Sequence, residues 1–181
     1  MIDDTVLLLR FKSGSDDALG LIYQKYKGPL LKLACALASD VGLAEDAVHD
    51  VFVVLAQSGP RISPYGNLKS YLATCVVNRI RNHRKRKQHE PVSEDTVTEP
   101  VASARERPEQ WIIANEAFSR LHNALMQLPY EQREVVLLHL EGGMRFRGIA
   151  KLQGVSINTV QSRYRYSLQK LRALLGDEVK L

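Results

Sequence analysis

The chain lacks what several protein classes require. Only two of its 181 residues are cysteine, too few for the disulfide framework of a small secreted domain or for a cysteine-rich metal site. Cys35 and Cys75 each sit on an apolar helical pattern and read as small core residues. His49, His83, His89, His122 and His139 show no ligand spacing with them, so no metal and no other cofactor is expected. The opening MIDDTVLLLRFKSG is acidic first and its apolar run is only four residues, which does not read as a signal peptide. No stretch approaches the length of a membrane span, so a cytoplasmic protein is expected. Strand-like alternation is missing at any useful length. There is no phosphate-cradling glycine loop, nucleophile arrangement or metal cluster, and the chain does not read as an enzyme.

Acidic residues are also missing, locally. The net charge of +5 is modest, yet Arg79 to Lys87 carries six basic residues and Arg145 to Arg172 carries seven, with no Asp or Glu in either. Those thirteen leave 12 of the 25 basic residues elsewhere, against all 20 acidic ones. An acidic chain with two basic surfaces is suited to dock a polyanion at two places. It can also offer acidic surfaces to a protein partner.

The second basic stretch reads as a helix-turn-helix. Phe146, Ile149, Ala150 and Leu152 recur at three-and-four spacing, Gly154 can take the positive φ of a sharp turn, and Ser156 can cap the helix that follows. Val160, Tyr164, Leu168, Leu171 and Leu175 then form one apolar stripe. The opposite face carries Asn158, Thr159, Gln161, Ser162, Arg163, Arg165, Gln169 and Arg172. Amide, hydroxyl and guanidinium groups without a carboxylate nearby suit a DNA major groove. An ordinary solvated helix hairpin with a basic face is the plainer alternative.

Earlier in the chain, Leu19, Ile22, Tyr23, Tyr26, Leu30, Leu33, Ala34 and Leu37 predict a helix over Asp16–Ser39, kinked or broken by Pro29 near Lys25–Gly28. A second helix is expected from Leu43 to Gln57, with Ala44, Ala47, Val48, Val51, Phe52 and Leu55 inward and Glu45, Asp46, His49 and Asp50 outward. Glu45 and Asp46 suit a helix N-terminus. Asp50 lies beyond the first turn and points to a partner-binding face. After the loop GPRISPYGN, Asn67 can cap a third helix that repeats Leu68, Tyr71, Leu72, Cys75, Val76 and Ile80 and continues as NRIRNHRKRK. Residues 88–107, proline-bearing and acidic, read as a flexible linker. Pro108 can open a helix with Trp111, Ala114, Phe118, Leu121, Leu125 and Leu128 on one side, and Pro129 separates it from Tyr130–Glu141. The fold expected is all-α: two small helical domains, 1–88 and 108–181, joined by the linker at 89–107.

This order of pieces resembles a small sigma factor of bacterial RNA polymerase, of the extracytoplasmic-function group, which keeps only regions two and four. AEDAVHDVF at Ala44–Phe52 resembles the family's polymerase-clamp-binding helix, and LKSYLATCVVNRIRNHRKRK its promoter-melting and minus-ten-reading helix. LHNALMQLPYEQREVVLLHLEGG with GIAKLQGVSINTVQSRYRYSLQKLRALL resembles its minus-thirty-five-reading domain. His49 stands where the family often has Gln, Tyr71 where it often has Trp, and Gly148 and Asn158 where an acid and a Gly are usual. The promoter sequence therefore does not follow from the resemblance.

The resemblance implies that Glu45, Asp46, His49, Asp50 and Phe52 engage core RNA polymerase. It implies that Tyr65, Asn67, Asn78, Arg79, Asn82, His83, Lys85 and Arg86 hold the melted strand. Tyr65 and Tyr71 alone offer rings there, so hydrogen bonds should matter more than stacking, which is worth about 1–3 kcal/mol per base. Asn158, Thr159, Gln161 and Ser162 are placed to reach base edges, Arg163 and Arg165 to read guanine or grip phosphate, and Arg145, Arg147, Lys151 and Arg172 to hold the backbone. Promoter DNA and an anti-sigma factor or similar inhibitor are the further partners implied. A stand-alone helix-turn-helix regulator that does not bind polymerase, or a helical adaptor meeting acidic protein, are the other readings.

Overall fold

Asp4 opens a helix that periodicity alone did not predict. The computed structural model describes residues 4–38, 40–59, 67–89 and 116–176. In it, α1 (Asp4–Lys12) lies on α2 (Asp16–Leu37). Nine residues give too short a repeat to stand out, but Leu7 and Phe11 are buried against the neighbouring helix. Asp4 fixes the register: its carboxylate accepts from Lys25 Nζ at 2.6 Å and from the Tyr26 hydroxyl. Burial raises the Asp4 pKa, but the bonds from Lys25 and Tyr26 outweigh it and hold it below the usual 3.8.

Helix α2 corrects one expectation. It starts at an N-cap, Ser15, and runs through Pro29 without a break. An internal proline costs about 3 kcal/mol, and burial of a Leu-sized side chain returns about 1.5–3 kcal/mol. Tyr26, Leu30, Leu33 and Leu37 are buried on either side of Pro29, which itself faces solvent, so packing outweighs the missing donor. Helix α3 (Val41–Ser58) begins at Asp40, whose carboxylate accepts from the amides of Gly42 at 3.2 Å and Leu43 at 3.0 Å. Helix α4 (Leu68–His89) begins as expected at Asn67, whose Oδ1 accepts from Ser70 N at 2.8 Å.

The second half follows as α5 (Glu116–Met126), α6 (Tyr130–Leu140), α7 (Phe146–Gln153) and α8 (Ile157–Leu175). Pro129 starts α6 and Gly143, at φ +63°, follows its end. The described residues contain helices and no strand. Residues 88 and 89 of the expected linker belong to α4, and residues 90–107, Pro108, Trp111 and Ala114 fall outside the described residues. The two halves meet: α5 packs on α2, and α6 packs on both α2 and α4, within one continuous buried cluster. Gly142 lies at this boundary. A Cβ there would lie 2.7 Å from the Leu138 carbonyl oxygen and 3.3 Å from the Ala73 methyl, so only glycine fits.

Because Asp4 is held below its ordinary pKa, its share of stability is present above pH 3.8 and lost as pH falls through the lower folded value. Asp4→Asn should cost about 1 kcal/mol at pH 7 and less at pH 3. Thermal denaturation at the two pH values checks this; an equal loss at both would show that the charge is irrelevant.

Candidate nucleic-acid interface

The α7–turn–α8 geometry matches the helix-turn-helix reading. Gly154 adopts φ +68°, ψ 32°, and the amides of Gly154 and Val155 both turn back to the Ala150 carbonyl, the second at 3.1 Å. Ser156 Oγ accepts from Thr159 N at 3.0 Å. Behind them a ring cluster sets the angle of the unit. His139 of α6 stacks on Phe146 of α7, centroids 4.4 Å apart, and meets Tyr164 of α8 edge-on at 5.0 Å. Its Nδ1 lies 2.8 Å from the Met144 carbonyl oxygen, which can only accept, so this nitrogen carries the proton. Sequence reasoning left His139 unassigned; its spacing from Phe146 and Tyr164 is a tertiary fact.

On the outer surface, Asn158, Gln161, Arg165 and Arg172 of α8 are exposed, as are Arg145, Arg147 and Lys151. Thr159 and Ser162 are half-buried, and the Thr159 hydroxyl is tied to Ser156 at 2.9 Å. Arg163 is not displayed as expected. It is half-buried and donates from Nη1 to Gln153 Oε1 at 2.7 Å.

Helix α4 presents Asn78, Arg79, Asn82, His83, Lys85 and Arg86 on one exposed surface. Asn67 is exposed too, with its oxygen used by the cap, and Tyr65 lies outside the described residues. Glu45, Asp46, His49 and Asp50 of α3 are exposed, and Val53 and Val54 extend that face with apolar surface the sequence reading had not placed there. Phe52 departs from its expected role. It is buried, its ring 4.8 Å from that of Tyr23, because it falls on the inward stripe of α3; it supports the acidic face from beneath. The acidic and basic faces adjoin where Arg79 Nη1 approaches Asp50 Oδ2 at 3.5 Å, an exposed pair.

Two arginines of α4 were missed as a separate set. Arg81 and Arg84 point away from the exposed basic face and into the second half. Arg81 Nε donates to Glu134 Oε2 at 2.7 Å, Nη2 donates to Glu134 Oε1, and Nη1 donates to the Leu152 carbonyl at 2.9 Å. Burial works against the Arg81 guanidinium, but Glu134 outweighs it and holds the pKa above its ordinary value. Arg84 lies over the Tyr130 ring at 3.7 Å. Burial, then the charge of Glu134, pushes the Tyr130 hydroxyl up to about 12. Arg81, Arg84, Lys85, Tyr130, Gln153 and Arg163 line a cleft of about 300 Å³ together with Glu131, Glu134 and Val155.

No group of three His, Cys, Asp or Glu among the described residues could hold a metal ion. None of the described helices is long and apolar enough to cross a membrane.

Comparison with known proteins fits this arrangement. Residues 22–90 match the family description "Sigma-70 region 2" and residues 118–171 match "Sigma-70, region 4", together more than half of the chain. The chain belongs to the sigma-70 family: it is a sigma factor, a regulatory subunit that binds core RNA polymerase and promoter DNA and directs transcription. Several of its relatives are named as ECF RNA polymerase sigma factors. RNA polymerase sigma factor CarQ of Myxococcus xanthus is 27% identical over 171 residues, covering 93% of this chain and 95% of the relative. ECF RNA polymerase sigma factor EcfG of Rhodopseudomonas palustris is 27% identical over 146 residues, 81% of this chain and 78% of that one. Among solved structures, the fold is similar to CnrH in complex with the cytosolic domain of CnrY (TM-score 0.65, 21% identity, 97% of this chain and 99% of that one). It is also similar to RpoE in complex with the anti-sigma factor NepR from Bartonella quintana (TM-score 0.64, 25% identity, 87% and 98%).

The cap at Ser156 positions the exposed start of α8. Ser156→Ala should cost about 1 kcal/mol and lower Tm by about 2–4 °C. Circular dichroism melts check this, and an unchanged Tm would show that the cap does not hold the turn.

Proposed function

We propose that this sigma factor reads its promoter in two physical states. The helix-turn-helix of α7 and α8 reads the minus-thirty-five element as duplex, and the exposed face of α4 holds the minus-ten element as melted strand. The observation that carries this is the division of labour between the two surfaces. On α8, Asn158 and Gln161 are exposed near the helix N-terminus and Arg165 one turn beyond Gln161, with no acidic residue from Arg145 to Arg172, which suits base edges in a major groove. On α4, Asn78, Arg79, Asn82, His83, Lys85 and Arg86 combine amides with positive charge on one helix face, which suits splayed bases and their phosphates. Glu45, Asp46, His49 and Asp50, with the exposed Val53 and Val54, form the surface for polymerase. Melting a duplex costs more than α4 alone can supply, so polymerase shares it. The compartment is that of the polymerase, the cytoplasm. By analogy with the inhibitor-bound RpoE, an anti-sigma factor restrains the protein.

The test is run-off transcription with purified core polymerase on a genomic fragment library, followed by Arg165→Ala on the promoter recovered. A lost bidentate base contact should reduce discrimination at one minus-thirty-five position by about 1–3 kcal/mol, roughly 5- to 150-fold. If binding weakens equally on every sequence and only the salt dependence changes, Arg165 holds phosphate instead.

A further inference from the structure

The geometry points to Arg81 and Glu134 as a latch that shuts the two promoter-reading halves together and holds Arg163 off DNA, an inference that rests on the two-site reading above. Glu134 has no exposed surface, yet its carboxylate is fully engaged. Arg81 from α4 grips both oxygens, and Gln153 Nε2 donates to Oε1 at 3.0 Å. The same Gln153 uses its Oε1 to take Arg163 at 2.7 Å. One chain of contacts thus runs from the minus-ten helix to the recognition helix: Arg81, Glu134, Gln153, Arg163. Glu134 is a positioning residue in it, acting on Arg163 through Gln153.

Distance makes opening necessary. Positions thirty-five and ten bases before a start site are about 25 base pairs, hence about 85 Å, apart at 3.4 Å per base pair. A packed chain of 181 residues has a radius of gyration of about 16 Å and so a diameter near ~40 Å. Halves packed as α4 and α6 are cannot touch both elements at once. The seam between the halves is polar along α4, while the contacts of α2 with α5 and α6 belong to the apolar cluster. Beside the ion pair the seam holds the Arg84–Tyr130 stack and a bond from Ser70 Oγ to the Gly142 carbonyl at 3.0 Å. Parting it returns Arg81 and Arg84 to the exposed basic run of α4 and releases Gln153 and Arg163 to the recognition surface.

The test uses the full chain without polymerase. Arg81→Ala should enlarge the radius of gyration by small-angle X-ray scattering and raise affinity for a minus-thirty-five duplex about tenfold, a typical coupling between two states. Glu134→Gln, which keeps the shape but removes the charge and turns one accepting oxygen into an amide donor, covers the case in which Arg81→Ala unfolds, and should open the protein in the same direction. Variants as compact as wild type, or expanded variants whose duplex affinity equals that of a wild type that does bind, overturn the latch. Expansion with no duplex bound by any variant leaves closure by Arg81 and Glu134 standing and sinks the promoter reading instead.

Discussion

A carboxylate with no exposed surface must find its counter-charge inside the molecule, and Glu134 finds it across the boundary between the two halves. Removing one partner of such a buried pair typically costs about 3–5 kcal/mol, because the other charge is left without solvent or partner. The pair does little for stability compared with an apolar contact of the same shape. What it provides is register: the fork of Arg81 meets both oxygens of Glu134 in one geometry, and Leu152 and Gln153 complete the shell. The placement of α4 against α6 and α7 depends on that geometry.

Helix α4 is therefore two-sided. One side carries the exposed Asn78, Arg79, Asn82 and His83, and the other sends Arg81 and Arg84 into the second half. Between them, Leu72, Val76, Val77 and Ile80 have no exposed surface. A helix buried on its apolar stripe can carry charge on a flank only where that charge is solvated or paired, and here one flank is solvated and the other paired. On the other side of the first half, the acidic face of α3 adjoins the basic face of α4 at Asp50 and Arg79. Surfaces for a protein and for a nucleic acid thus share an edge.

The helix-turn-helix is held from within by rings rather than charge. His139, Phe146 and Tyr164 come from three helices, and the His139 proton is fixed by a main-chain carbonyl. This leaves the outer face of α8 without a structural duty except at Thr159, Arg163 and Lys170, whose Nζ donates to the Gln127 carbonyl at 2.7 Å.

Periodicity and capping are local, and the sequence by itself determined what depends on them. It placed α2, α3, α4 and the α7–turn–α8 unit, the caps at Asn67 and Ser156, and the positive φ of Gly154, because each follows from residues within a turn or two. It located the two basic surfaces for the same reason. It missed α1, whose short repeat is stabilised by Asp4 reaching Lys25 and Tyr26, and it overstated the break at Pro29, which burial on both sides overrides. Only the tertiary structure decided which arginines face outward. Arg79 and Arg81 are two residues apart, and their different surroundings come from Glu134, 53 residues beyond Arg81. A long-range pairing of charges leaves no periodic trace, so no reading of adjacent residues could have told the displayed arginine from the paired one.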